Sequence, residues 1–389
     1  MTKILSSRAQ SVRPFHVMDL LARAQQMQSQ GREVVHLEVG EPDFATPQPI
    51  IDAGIASLRA QQTHYTSATG LPQLRQMLSD YYAHRFSLDI NPRRIIITPG
   101  ASGALQLALI SLLDAGDQVL LSDPGYPCNR NIAQLLGIVT RALPVSEEDG
   151  YQLTPAHIET HWHDTTRAAM VASPSNPTGT RINQQHMRAL IDAVAAKRGH
   201  LIVDEIYQGL VYGVEDITAL SFSDDVFVIN SFSKYFGMTG WRLGWMVVPE
   251  AFVDAIDRMS QNLFLAPATM SQHAAMAALS DETQVILQQR RAEFQQRRDV
   301  LLPALEALGF RIAVKPEGAF YIYADCSAIT DDAFSWCHAL LEHTGVAVTP
   351  GIDFGDFAAN THVRFAYTRP VEQLQAAVSL IGNYINKTN

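Results

Sequence analysis

Residues 229–245 read INSFSKYFGMTGWRLGW. An apolar run ends in Ser231-Phe232-Ser233-Lys234, a glycine follows at 237, and Arg242 stands eight residues beyond the lysine. The chain has five lysines: Lys3, Lys197, Lys234, Lys315 and Lys387. Lys3 and Lys387 are near the termini, Lys197 closes an amphipathic helical pattern, and Lys315 precedes a proline. Lys234 alone sits among aromatic residues and glycines. Apolar surroundings and a neighbouring arginine disfavour the ammonium form. The neutral amine can then attack a carbonyl and form a Schiff base.

Working outward, β-branched runs alternate with longer helical patterns. RRIIITPG (93–100), DQVLLSDPGYP (117–127), RAAMVASPSNPTG (167–179), HLIVDEIY (200–207), DVFVINSFSK (225–234) and RLGWMVVP (242–249) read as strands running into turns. ASGALQLALISLLDAG (101–116) and NQQHMRALIDAVAAKRG (183–199) read as helices between them. This predicts an α/β fold, a mostly parallel sheet covered by helices on both faces. Residues 281–302 predict a long charged helix, a solvated bridge between domains, with QQRR at 288 and again at 295. Beyond it, GFRIAVKPEGAFYIYADCS, GVAVTPGIDFG and HVRFAYTR predict strands, and DDAFSWCHALLEHTG a helix, of a smaller α+β domain. The expected division is 1–47 as an N-terminal arm packing with the small domain, 48–285 as the large domain and 286–389 as the C-terminal small domain. A chain of 389 residues is long enough for both.

Composition is that of a soluble globular protein, 47% hydrophobic and 17% charged. The net charge of −10 argues against nucleic acid or an anionic membrane as partner. Cys128, Cys326 and Cys337 are isolated thiols without C-x-x-C spacing, as expected of a reducing cytoplasm. No secretory pattern is read at the N-terminus, and the most apolar run, 104–113, is short for a membrane span. His161 and His163 lack the further ligands of a metal site, so no metal is expected.

Ligands of an open α/β sheet gather beyond the carboxyl ends of its strands. Four polar groups fall there: the Gly100–Gly103 turn, Asn176, Asp204 and Ser231–Lys234. Each alone has an ordinary explanation as turn or cap chemistry. Together they call for one ligand. The backbone N–H groups of Ala101 and Ser102, opening a helix, form an anion site that Ser231, Ser233 and Arg242 complete for a phosphate. Lys234 meets an aldehyde. Asp204 holds a protonated pyridine nitrogen, Asn176 and Tyr207 donate to a phenolate, and Tyr126 stacks on an aromatic ring. Phosphate, aldehyde, pyridine and phenolate together describe pyridoxal 5′-phosphate.

The chain resembles the fold-type I pyridoxal-phosphate aminotransferases of class I/II, the aspartate aminotransferase superfamily. LEVGEPDFATP (37–47), HYTSATGLPQLRQML (64–78), TPGASGALQLAL, DPGYP, SNPTGT, VDEIY, SFSKYFGMTGWRLGW and VRFAY carry the resemblance, in order and over nearly the whole chain. It implies Lys234 as Schiff-base lysine and proton carrier, Asp204 as pyridinium partner and Tyr126 as ring-stacking residue. Asn176 and Tyr207 become ligands of the ring hydroxyl, and Ala101, Ser102, Ser231, Ser233 and Arg242 the phosphate cup. Tyr65 matches a tyrosine that reaches the phosphate in the neighbouring subunit, which implies a homodimer with shared sites. Arg364 matches the arginine that grips the substrate carboxylate, with Gly40 and Asn176 beside it.

The implied reaction is ping-pong transfer of an amino group between an L-amino acid and a 2-oxo acid. Phe15 and His16 fall where the arm approaches a substrate side chain and favour a neutral or aromatic one. An aspartate-type dicarboxylate enzyme needs a second cation, for which Arg13, Arg130 and Arg181 are candidates. C–S β-lyases and cyclopropane-forming synthases share the fold and cofactor. A transcription regulator of the same fold needs an added basic DNA-binding segment, and a catalytically silent homologue would not need Lys234, Asp204 and Arg364 intact.

Overall fold

Successive residues of the central strands face opposite cores. Ile95, Ile97, Leu201, Val203 and Val228 join one buried cluster, while Ile96, Ile202, Phe227 and Ile229 join another on the other side. A period of two with both faces apolar is the pattern of a sheet covered twice. The computed structural model describes residues 5–12 and 14–388. Its large sheet has seven strands: β1 (Ile95–Thr98), β2 (Gln118–Asp123), β3 (Val139–Pro144), β4 (Thr166–Ala172), β5 (His200–Asp204), β6 (Phe227–Ser231) and β7 (Gly244–Val247). Their order is β1-β7-β6-β5-β4-β2-β3. Only β7 runs antiparallel to its neighbours, β1 and β6. Strand β3 was not expected. It is a sheet edge, and in its VTRALP only Leu143 is buried, without the apolar run of the inner strands.

The second sheet is antiparallel, ordered β9-β10-β8, from β8 (Tyr321–Asp325), β9 (Thr349–Pro350) and β10 (His362–Ala366). The N-terminal segment forms a separate two-stranded sheet with this domain: Val35–His36 pairs parallel with Val346–Ala347. Helix α1 (His16–Ser29) packs Leu20, Ala24 and Met27 against Leu341 and Ala347. Its first N–H groups lack a local cap. The carboxylate of Asp353 accepts from His16 N at 2.8 Å and from Val17 N at 2.7 Å, satisfying orphan donors and complementing the helix dipole.

Helix α2 (Gly100–Leu112) follows β1, and helix α3 (Asp281–Ala307) links the two sheets. The expected division at 285/286 falls inside α3. The second QQRR copy is also not on a solvated face: Arg297 is 1% exposed and Arg298 3%. Arg297 donates to both oxygens of Asp43 at 2.7 and 3.0 Å and lies over the Phe44 ring, so partners compensate the burial. Among the described residues no helix is long and apolar enough to cross a membrane.

The N-terminus of α2 lies almost on the backbone of β7. A Cβ at Gly244 would stand 2.8 Å from Gly100 C and Asn230 O and 2.9 Å from Ala101 N. All three are backbone atoms with nowhere to swing. Gly244→Ala is therefore expected to lower unfolding stability by about 1–3 kcal/mol, measured by urea denaturation, and to weaken anion binding at the start of α2.

Candidate active site

A cavity of about 280 Å³ opens at the carboxyl ends of β4, β5 and β6, above the start of α2. The large sheet contributes Asn176, Asp204, Tyr207, Ser231, Ser233 and Lys234. Ala101, Ser102, Tyr126 and Arg242 come from turns and from α2. The small sheet contributes Tyr321 and Arg364, and the arm contributes Phe15, Val17, Met18, Leu21, Glu38, Val39 and Gly40. Thus every residue expected to hold the cofactor or the substrate carboxylate lines one cavity except Tyr65, which lies outside it and is 83% exposed.

At one end, α2 starts at Gly100 without a side-chain cap, leaving N–H groups of its first turn open to an anion. Gly100 has φ +70°, and a Cβ there would come within 2.7 Å of Arg242 Nη2. Arg242 is itself left-handed at φ 54°, held by Nη1 donating to Thr239 O at 3.0 Å. Ser231 Oγ donates to Leu243 O at 3.1 Å and lies 2.9 Å from Ser233 Oγ, from which it can accept. Ser102 and Arg242 are exposed at this mouth, whereas the serines are buried.

Deeper in, Asp204 is 9% exposed and accepts from Ile206 N at 3.0 Å. Burial raises its carboxyl to about 6, with the Ile206 N–H and then Lys234 opposing. Lys234 Nζ donates to Gly40 O at 2.7 Å. Burial lowers its ammonium to about 8, against Glu41, with Arg364 and Arg242 adding to the lowering and Asp204 resisting it. Two groups of opposite sign are thus both driven toward neutrality, a mark of functional sites. Tyr207 is buried, its hydroxyl 2.8 Å from that of Tyr321.

Arg364 is 4% exposed. It donates through Nη1 to Asn176 Oδ1 at 2.9 Å, and through Nη2 to Glu38 O and to Thr349 Oγ1, the latter at 3.2 Å. Tyr321 and Phe354 lie against its guanidinium at 4.4 and 4.8 Å. Among the described residues its Nε is buried with no hydrogen-bond partner, a donor left unsatisfied.

The remaining expectations separate. Phe15 lines the cavity, but the His16 ring packs on Phe334 at 5.2 Å. Arg181 pairs with Glu317 at 2.8 Å. Arg130 lines a smaller adjoining cleft beside Tyr126 and Asn176, and Arg13 lies outside the described residues. The cations of the described lining are therefore Lys234, Arg242 and Arg364. Sequence reasoning missed Tyr321, the apolar arm residues beyond Phe15, and Cys128. Only the position of Tyr321 in an alternating strand beside that of Arg364 could have signalled it. The three cysteines are free. Among the described residues no group of three or more His, Cys, Asp or Glu is placed to hold a metal ion.

The raised Asp204 carboxyl sets a pH dependence. The folded state binds its proton more tightly than the unfolded state, whose value is the ordinary 3.8. The resulting cost is absent below 3.8, grows as pH rises to about 6, and is complete above that. Asp204→Asn should therefore stabilise the cofactor-free protein at pH 7 by on the order of 2 kcal/mol. That gain should fade toward pH 4, as read by urea denaturation across pH.

Comparison with known proteins places this geometry. The model of the family "Aminotransferase class I and II" matches residues 32–381. The chain is 38% identical to the (5-formylfuran-3-yl)methyl phosphate transaminase of Methanocaldococcus jannaschii, covering 99% of this chain and 100% of that protein. It is 37% identical to the valine–pyruvate aminotransferase of Mycobacterium tuberculosis, covering 99% of each. The crystal structure of an aminotransferase from M. tuberculosis superposes with a TM-score of 0.96 at 36% identity, over 99% of this chain and 100% of that one. The chain belongs to the class I and II aminotransferases, and is an enzyme that uses pyridoxal 5′-phosphate to move an amino group between amino acids and 2-oxo acids.

Proposed function

We propose that the cavity is the active site, and that it works by a ping-pong mechanism on L-amino acids with neutral or aromatic side chains. The observation that carries this reading is the meeting, in one cavity, of Lys234, Asp204 and Arg364 with an apolar wall of Phe15, Val17, Met18, Leu21 and Ile132.

The residues fit the cofactor. The uncapped start of α2 and the orphan Arg364 Nε each await an anionic group. The N–H groups of Ala101 and Ser102, with Ser231, Ser233 and Arg242, would hold the phosphate. Asp204 would pair with the ring nitrogen, Asn176 and Tyr207 with the ring oxygen, and Tyr126 with the ring face. Lys234 Nζ would join the aldehyde carbon. When bound, the cofactor supplies a carbonyl that takes up the amino group and a ring that draws electrons from Cα.

The protein's own part is positioning and proton transfer. Arg364 is locked by Glu38 O, Thr349 and Asn176 and backed by Tyr321 and Phe354. It grips the substrate carboxylate, with Gly40 alongside, and turns Cα–H toward Lys234. Lys234 Nζ, freed when the substrate amino group takes its place and with its affinity for a proton lowered by burial, would accept the Cα proton and carry it within the site. A dicarboxylate donor would place its distal charge against the apolar wall, where the described lining offers no further cation.

We further infer a homodimer in the cytoplasm. The exposed anion-binding mouth and the exposed Tyr65 support a site completed by a second copy. Three free thiols, two of them buried, support a reducing compartment.

Lys234→Ala should bind the cofactor without a covalent link and lose at least about 10³-fold in transamination; full activity would remove the assignment. In a donor panel with 2-oxoglutarate, neutral and aromatic amino acids should exceed aspartate in kcat/KM. Release of thiol, pyruvate and ammonia from an S-substituted cysteine, without glutamate, would instead mark a lyase. Mixing Tyr65→Phe and Lys234→Ala subunits should restore one working site per heterodimer, and no recovery would contradict the shared site.

A further inference from the structure

Tyr321 sits where three parts of the active site meet. It stands on β8, paired with Ala366 of β10, two positions along from the Tyr323–Arg364 pair. Its ring lies 4.4 Å from the Arg364 guanidinium. Its hydroxyl is 2.8 Å from that of Tyr207. The same hydroxyl fills the space beside Gly40, where any Cβ would collide with it. Tyr321 is 1% exposed and Tyr207 4%, so water does not compete for this pair. The rings cross edge to face at 5.6 Å and 80°, and Phe320 braces Tyr207 at 5.3 Å.

We propose that Tyr321 is a positioning residue that couples the carboxylate grip to the cofactor's ring oxygen. Its ring forms the floor under Arg364, and its hydroxyl orients that of Tyr207. This rests on the reading of Tyr207 and Arg364 given above. The physical reason is proton economy in a buried pair. A phenol has one proton to donate. If Tyr207 directs its proton at the ring oxygen, the contact with Tyr321 is satisfied only when Tyr321 donates and Tyr207 accepts. Accepting a hydrogen bond polarises the Tyr207 O–H and makes it a stronger donor. Phenylalanine at 321 would keep the floor and remove the donor. The charged and titratable groups facing the pair are Arg364 from β10, Tyr126 after β2, Asp204 at the end of β5 and Lys234 after β6.

The test uses the holoenzyme and the pH midpoint of its visible absorbance, a readout that general loosening of the fold does not set. A weaker donor leaves more negative charge on the ring oxygen, which holds the neighbouring proton more tightly and raises the midpoint. Tyr207→Phe removes the direct donor and should raise it most. Tyr321→Phe should raise it by about 0.3 to 1 on the pH scale, and should add nothing in a Tyr207→Phe background. Tyr321→Leu, which lacks the floor, should in addition raise KM for the amino acid several-fold, whereas Tyr321→Phe should not. A midpoint that moves in Tyr207→Phe but not in Tyr321→Phe overturns the proposal while leaving the role of Tyr207 intact. A midpoint unmoved in Tyr207→Phe overturns that role and the proposal with it. Additive shifts in the double variant overturn the coupling, and an unchanged KM in Tyr321→Leu overturns the floor.

Discussion

The site is organised by the cost of burying charge. Asp204 and Lys234 emerge from adjacent parallel strands into the same apolar walls, and neither finds enough compensation within the protein. The carboxyl climbs to about 6 and the ammonium falls to about 8, because desolvation outweighs their mutual attraction. A ligand that brings a cationic nitrogen to one and an electrophilic carbon to the other relieves both. On the proposed reading, cofactor binding would relieve that cost, the trade of stability for function common in enzymes.

The second constraint is how the two sheets share the cavity. The large sheet supplies Asn176, Asp204 and Lys234 and the small sheet Tyr321 and Arg364, and polar contacts between segments distant in the chain hold this arrangement. Arg364 reaches from β10 to Asn176 and to Glu38. Arg297 on α3 holds Asp43 of the N-terminal segment. Asp123, at the end of β2, accepts from Asp356 N at 3.0 Å and Phe357 N at 3.2 Å, and its carboxylate fills the space that any Cβ at Gly355 would need. Asp353, close by in the chain, caps α1. The part of the cavity's apolar wall built from α1 and the residue before it is thus anchored through the Asp353 carboxylate as well as by packing.

Much of this was legible in the sequence because strand ends and turn chemistry are local. Gly100, Asn176, Asp204 and Lys234 each follow a β-branched run, and the parallel sheet brings such ends together without further information. What escaped depended on contacts distant in the chain. Tyr321 reads as one aromatic in an alternating strand until its partners, Tyr207 and Arg364, are seen in space. Arg297 and Arg298 read as a solvated repeat until Asp43 and Phe44 are found beside the first. Edge strand β3 carried too little apolar character to be read. His16 shared the expectation for Phe15, but consecutive helix-start residues point different ways, and its ring turned to Phe334.

The claim on which the rest depends is that the ε-amine of Lys234 is the group that holds the cofactor. Borohydride reduction of the holoenzyme, followed by digestion and peptide mass mapping, tests it most directly. The account predicts a single pyridoxyl label, on Lys234. A label on Lys197, Lys315 or any other residue, or no label on a protein that retains transaminase activity, would contradict it.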